Sequence, residues 1–258
     1  MNKTVPLLMF SVFALASCQS SPDKTAVSKT PVIKAPDVSA PIEQPIANLD
    51  ANIQIRKEQF IVETAKKYAL SEVYVRDTLA KAEYKQNIVN AMSRPAEATK
   101  TWAQYRPIFI TDSRISQGSV FLFVISASLH RVSNEYGLTR DIIVSIMAVE
   151  PGLGAPMGSY NVLDALYTLA FFYPVINGKP NPTRAAFFTD ELSQFFALCK
   201  EEDFDILSVK GSYAGAMGLG QFMPSSYRKY AKDGDGDGKR NLFTSKQDAF
   251  ASIANYFI

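Results

Sequence analysis

The sequence holds a single histidine, His130, and two cysteines, Cys18 and Cys199, among its 258 residues. One imidazole excludes a zinc site built from several histidines and leaves a Ser-His-Asp triad only one candidate base. His130 lies in an apolar, helix-forming segment, Val120 to Val132, and reads as a packed or surface residue rather than a catalyst. No Gly-Lys-Ser/Thr follows the glycine-rich stretch, so a phosphate-binding P-loop is excluded. Net charge is only +2, without a basic stripe or arginine-rich tract, which removes the case for nucleic acid. Alternation with a period of two, the mark of half-buried strands, is scarce throughout.

What is present is helical. With 47% hydrophobic and 20% charged residues the chain can bury a sizeable core, as one large domain or two small ones. From Asn52 the apolar spacing is that of a helix, with Ile61, Ala65 and Tyr68 at i, i+4 and i+7; Ser71 can cap a second helix carrying Val75, Leu79 and Ala82. Met92-Ser93-Arg94-Pro95 breaks this pair, and Trp102 to Ile110 is an aromatic segment interrupted by Pro107. Gly118 precedes a long helix through Tyr136, stopped by Gly137, and Thr139 can cap the next one. Val162, Leu166, Leu169 and Tyr173 form an apolar face; Phe188, Leu192, Phe195 and Cys199 form another, making Cys199 a core thiol. Pro174 to Pro182 is a loop. The fold class is mainly α, with room for short strands.

The N-terminus reads as a processed leader. Lys3 supplies a short basic region, and Val5 to Ala16 is an apolar run too short to span a bilayer. It ends in Leu15-Ala16-Ser17-Cys18, which resembles the bacterial lipobox, where cleavage exposes a cysteine for lipidation. Cys18 then carries acyl chains that bind membrane by burying CH₂ groups, and Cys199 alone is left, so a mature monomer has no intramolecular disulfide. Gln19 after Cys18, by resemblance to lipoprotein sorting, implies the periplasmic face of the outer membrane. Residues 1–17 are thus a signal peptide. Residues 18–50, rich in Ser, Pro, Lys, Thr and Ala, are a flexible tether. Residues 51–258 are the folded region.

Three stretches carry chemistry. Ile142 to Val149 is an almost unbroken apolar run ending in Glu150. Ile143, Ile146 and Met147 precede Glu150 by seven, four and three residues and share its helical face. Burial there would raise the carboxyl pKa, which suits a general acid; the plain alternative is a surface glutamate at a helix end. Gly211 to Ser226 is glycine-rich, so backbone can approach a ligand closely, with the Ser212 hydroxyl and Gln221 amide suited to sugar hydroxyls and N-acetyl groups. Asp233, Asp235 and Asp237 alternate with glycines and lead to Lys239, the spacing of the first seven positions of an EF-hand loop. The twelfth position, however, is Thr244 instead of Glu. An acidic turn without metal is the alternative.

Ala214-Gly215-Ala216-Met217-Gly218, then Gln221-Phe222-Met223-Pro224-Ser225, closely resembles the signature of the membrane-bound lytic murein transglycosylase B family. Met92-Ser93-Arg94-Pro95-Ala96-Glu97, Trp102-Ala103-Gln104-Tyr105-Arg106-Pro107, Asn161-Val162-Leu163-Asp164-Ala165-Leu166 and Asn255-Tyr256-Phe257 resemble further family segments in the family's order. The resemblance covers about Gln59 to Ile258. It implies a lysozyme-like helical core with an N-terminal helical extension and a small EF-hand-like loop region. The implied substrate is peptidoglycan, cleaved between N-acetylmuramic acid and N-acetylglucosamine, with no cofactor for catalysis. Glu150 matches the family's single catalytic glutamate. Tyr105, Ser212, Gln221 and Tyr256 match positions lining its groove, although Tyr105 and Tyr256 also read as core aromatics. Asp248 matches the aspartate that closes the family's longer loop, which implies a structural calcium ion held by Asp233, Asp235, Asp237, Lys239 and Asp248.

In the implied reaction Glu150 first protonates the glycosidic oxygen. It then accepts the proton of the muramyl 6-hydroxyl as a 1,6-anhydro ring closes, without the second carboxylate of a conventional glycosidase. Two departures stand out. Pro151 replaces the family's Thr or Ser, removing a hydroxyl and an N–H beside Glu150 and biasing Glu150 away from α conformation. The chain also stops at Tyr256-Phe257-Ile258 in an apolar helical run, where family members continue, so a truncated product or fragment is expected. A non-catalytic peptidoglycan-binding lipoprotein and a hydrolase using water are the rival readings.

Overall fold

The computed structural model describes residues 46–93, 100–149, 158–176 and 178–258. Cys18, Glu150, Pro151 and the Arg94-Pro95-Ala96-Glu97 segment lie outside them. Eleven helices and one two-stranded sheet are found among the described residues. The first group is α1 (Ile46–Tyr68), α2 (Glu72–Leu79), α3 (Gln86–Ser93) and α4 (Trp102–Phe109). Then come α5 (Asp112–Val124), α6 (Ser126–Tyr136) and α7 (Arg140–Val149). Strand β1 (Tyr160–Asn161) leads into α8 (Val162–Phe171) and α9 (Pro182–Glu201). Strand β2 (Lys210–Gly211) precedes α10 (Pro224–Tyr230) and α11 (Lys246–Tyr256).

The centre is the pair α8 and α9, against which α1, α3 and α10 pack. Leu166, Leu169, Leu192, Phe195 and Phe196 are fully buried there. Phe60 of α1 sets its ring against Phe171 and Phe196, both 5.9 Å away. Arg56 of α1 donates to the carbonyls of Ala170 and Phe171, satisfying the C-terminal end of α8 with a cation where the helix dipole favours one. Cys199 is a core thiol as expected, and burial pushes its pKa far up.

Ser71 caps α2 by accepting the Tyr74 N–H, and Gly137 ends α6 in the left-handed conformation, φ 67°. Three expectations need correction. First, α1 begins at Ile46, inside the stretch read as tether. A helix nucleated on the packed residues beyond Asn52 extends backwards at one hydrogen bond per residue. Second, Pro107 does not interrupt its segment, because α4 runs through it. Proline removes a single N–H, and Ile110 closes the helix on the Arg106 carbonyl.

Third, the long helix expected after Gly118 is two helices, with Gly118 inside the first. They bend by 83° at Ile125, whose φ of −103° and ψ of 17° leave the α region. The bend sends α5 against α7 and α6 against α11, burying Leu129 and Val132, which one straight helix would not do. The far side of α5 leaves Val120, Phe123 and Val124 exposed. Among the described residues no single helix is long and apolar enough to cross a membrane.

Candidate functional site

Helix α7 carries the chain to Glu150. Ile143 and Met147 are buried and Ile146 is half-buried, so the face expected from their spacing is the packed one. The Thr139 carbonyl accepts the Ile142 N–H at its start. At its other end Ala148 and Val149 line a groove of about 360 Å³ shared with Phe109, Ile110, Arg114 and Leu122. The last described residue before Glu150 therefore borders open space walled by apolar side chains.

Gly158 lies directly against the glycine-rich loop, at Gly211 and Ser212. Tyr160 pairs with Gly211 and Asn161 with Lys210, antiparallel. From Gly211 the loop folds on itself through bridges between Gly211 and Met217 and between Met217 and Phe222. The Ser212 hydroxyl oxygen accepts the N–H groups of Ala214 and Ala216, at 3.3 and 3.0 Å, so this side chain helps to shape the loop. Gln221 is 7% exposed and holds φ at +48°, a conformation costly for a residue with a Cβ. Its Nε2 donates to the Gly218 carbonyl at 3.1 Å. Strain of this kind persists where the surrounding structure over-determines it.

Tyr256 belongs with this loop: its ring meets Phe222 edge-on at 6.1 Å and Tyr230 at 4.8 Å. Burial raises its pKa, and the phenol remains half-exposed. Ser212, Gln221 and Tyr256 are thus brought to one place. Tyr105 lies on α4, where its ring meets those of Trp102 and Phe109 at 6.3 and 4.9 Å, and Phe109 lines the groove at the end of α7. His130 is exposed on α6, 2.8 Å from the Arg140 guanidinium, and touches none of these groups.

Sequence reasoning overlooked Glu191. This carboxylate sits on the buried face of α9 and is 3% exposed. It accepts the Ser225 N–H at 2.9 Å and the Ser225 hydroxyl at 2.6 Å. Its signal was available: Glu191 lies three residues after Phe188 and four before Phe195, a charge on an otherwise apolar stripe. Burial raises its pKa above the ordinary 4.5, and the two bonds from Ser225 only partly oppose this. The folded carboxyl therefore keeps its proton at pH values where the unfolded one has lost it. The resulting stability is fully present below pH 4.5 and is lost as pH rises through the folded pKa. Glu191→Gln should flatten this fall. Melting curves of both proteins from about pH 4.5 to neutrality test it, and parallel pH profiles would count against the sign argued here.

In the acidic loop, Asp233, Asp235 and Asp248 place carboxylate oxygens within 4.8 Å of one another. Asp248, fully buried on α11, accepts the Gly234 and Asn241 N–H groups at 2.8 and 2.7 Å. Asp233 accepts N–H groups of Gly236, Asp237 and Gly238, which hold its carboxyl below the ordinary range. Asp237 and Lys239 lie outside the three-residue cluster; the Asp237 carboxylate accepts the Lys239 N–H at 2.8 Å. Arg131 of α6 donates to the Gly234 carbonyl, tying the loop to the helix before α7.

Residues 53–258 match the profile of the transglycosylase SLT domain family. The chain belongs to this family. It is 34% identical over 254 residues to the membrane-bound lytic murein transglycosylase B of Escherichia coli, covering 94% of this chain and 68% of that protein. Its fold is similar to that of the soluble lytic transglycosylase SltB1 of Pseudomonas aeruginosa, with TM-score 0.70 and 46% identity over 78% of this chain. It is also similar to the Escherichia coli lytic transglycosylase Slt35 solved in complex with calcium, with TM-score 0.68 and 38% identity over the same share. The chain spans 65% and 61% of the length of these two solved relatives. Among the described residues of this chain the core is helical and the sheet is four residues in two strands.

Proposed function

We propose that this chain is a lytic transglycosylase that cleaves the glycan strands of peptidoglycan and leaves 1,6-anhydromuramic ends. The observation that carries the reading is the glycine-rich loop of the SLT family. It is packed against Tyr256 and against the strand that follows Glu150 in the chain, with Ser212 and Gln221 inside it.

Glu150, the residue that follows α7 in sequence, acts as acid and then as base. It gives its proton to the glycosidic oxygen as the bond to the muramyl C1 breaks. It then takes the proton of the muramyl 6-hydroxyl as that oxygen bonds to C1, so no water is consumed and no second carboxylate is needed. Loop backbone, Ser212 and Gln221 orient the N-acetyl-bearing sugars, and Tyr256 walls the site beside Phe222. Tyr105 contributes from α4, where it packs on Phe109. Digestion of murein followed by mass spectrometry tests the reaction: anhydro ends support it, reducing ends indicate hydrolysis, and no products indicate a binding protein. Pro151 beside Glu150 is the observation that keeps this last outcome in the comparison.

The acidic loop is proposed to hold calcium in a structural role. Three clustered carboxylates offer only oxygen ligands, the donor set of a hard cation, and the seventh-position carbonyl of Lys239 and the carboxylate of Asp237 complete the EF-hand spacing. Calcium at about a hundred times its Kd should raise stability by about 2.7 kcal/mol. Asp235→Asn should abolish that rise; an unchanged melting temperature for the parent protein in millimolar calcium removes the metal from the reading. Cys18 is proposed as the lipid anchor placing the enzyme at the outer membrane, and loss of labelled acyl incorporation in Cys18→Ala tests this.

A further inference from the structure

Glu191 accounts for how the glycine-rich loop is held. A buried carboxylate is costly unless its oxygens are satisfied, so its partners reveal what it is there to hold. Both its hydrogen bonds come from Ser225. Ser225 is the second residue of α10, immediately after Met223 and Pro224, where the glycine-rich loop ends. The Ser225 N–H belongs to the first turn of α10, whose donors lack partners within the helix, and Met223 supplies no side-chain cap. Glu191 takes that place from a neighbouring helix.

The rest of α10 is fastened to the same support. Arg228 forks onto Glu201 of α9 at 2.7 to 3.1 Å and stacks over Tyr68 of α1 at 4.6 Å. Tyr227 donates to the Arg240 carbonyl and accepts the Leu242 N–H, and the Leu242 carbonyl in turn accepts the Leu219 N–H of the loop. Loop residues 219–223 are therefore strung between Leu242 on one side and Ser225 on the other. Gln221, in its strained conformation, lies between these two fixed points.

We propose that Glu191 is a positioning residue for glycan binding: by fixing Ser225 it holds the loop so that the Gln221 amide meets the substrate. The role is indirect, since Glu191 is buried with both oxygens engaged by Ser225 of α10. It rests on the lytic transglycosylase reading, and the test separates the two. Hydrogen exchange of the 218–223 amides is measured together with kcat and KM on murein glycan, in the full chain, for Glu191→Gln and Ser225→Ala. Thr64→Val serves as the control. It removes the buried Thr64 to Ser193 bond, 3.0 Å, from the same helix without touching α10.

Glu191→Gln and Ser225→Ala should speed loop exchange about tenfold and raise KM about five- to tenfold with kcat within about twofold, as loss of uniform binding predicts. Thr64→Val should lower the melting temperature without either change. If all three variants lower the melting temperature alike and leave loop exchange and KM at the parent values, Glu191 is merely structural and the proposal is overturned. A parent protein that cleaves nothing, with loop exchange still released by Glu191→Gln, overturns the enzymatic reading while the fixing of the loop by Glu191 stands.

Discussion

Glu150→Gln should lower murein cleavage by at least about a thousandfold while leaving the melting temperature within about a degree of the parent. Glutamine keeps the size and much of the hydrogen bonding of glutamate, but it can neither release the proton the leaving oxygen needs nor accept one from the 6-hydroxyl. Both halves of the proposed reaction therefore stop with one substitution. A direct carboxylate effect is to be separated from a structural one. Helix α7 is held by Ile143, Val144 and Met147, all buried, and these side chains are unchanged in the variant. Circular dichroism and thermal melting should superimpose on the parent, whereas release of anhydro-muropeptides falls to background. A variant with normal turnover would remove Glu150 from catalysis. Glu191, although buried and raised in pKa, is a poor substitute, because both its oxygens already accept hydrogen bonds from Ser225.

Much of this architecture could be read from spacing, and the failures have physical causes. The apolar faces of α8 and α9 were legible because Val162, Leu166 and Leu169, and Phe188, Leu192 and Phe195, recur at helical intervals and are buried as that interval requires. The bend at Ile125 was not. The run Val120 to Ile125 is apolar throughout, and periodicity says nothing about which of two partners each half will choose. That choice is made by α7 and α11, which are distant in sequence.

At the site, the motif residues Ser212, Gln221 and Tyr256 could be named from the chain alone, but their geometry could not. Nothing in the spacing shows that the Ser212 hydroxyl is partly spent on the Ala214 and Ala216 amides. Nor does it show that Gln221 is held with positive φ. Glu191 was overlooked for a related reason. A carboxylate on an apolar stripe is visible in sequence, but its meaning depends on Ser225, which lies 34 residues away.

Gly158→Ala should be the most damaging single-methyl change near the site. Gly158 holds φ at +103°, a region L side chains rarely adopt, and a Cβ placed there would lie 2.0 Å from the Gly211 carbonyl oxygen and 2.7 Å from the Ser212 nitrogen. Neither neighbour is a flexible side chain that can swing aside. Gly211 is fixed by its pairing with Tyr160 and by its bridge to Met217, and the Ser212 N–H donates to the Ala216 carbonyl at 2.8 Å. Relief therefore requires the strand pair to separate or the glycine-rich loop to move as a unit. Backbone strain and lost pairing together should cost about 3 to 5 kcal/mol, or a fall in melting temperature of about 10 °C for a chain of this size. Function should suffer beyond stability, because Gly158 and the β1 pairing beside it hold the glycine-rich loop at Gly211 and Ser212. At a temperature where the variant is still fully folded, cleavage should remain at least about tenfold below the parent. If Gly158→Ala melts normally and cleaves normally, the strand and loop are not in register as described, and the contact of Gly158 with Gly211 and Ser212 does not hold the loop.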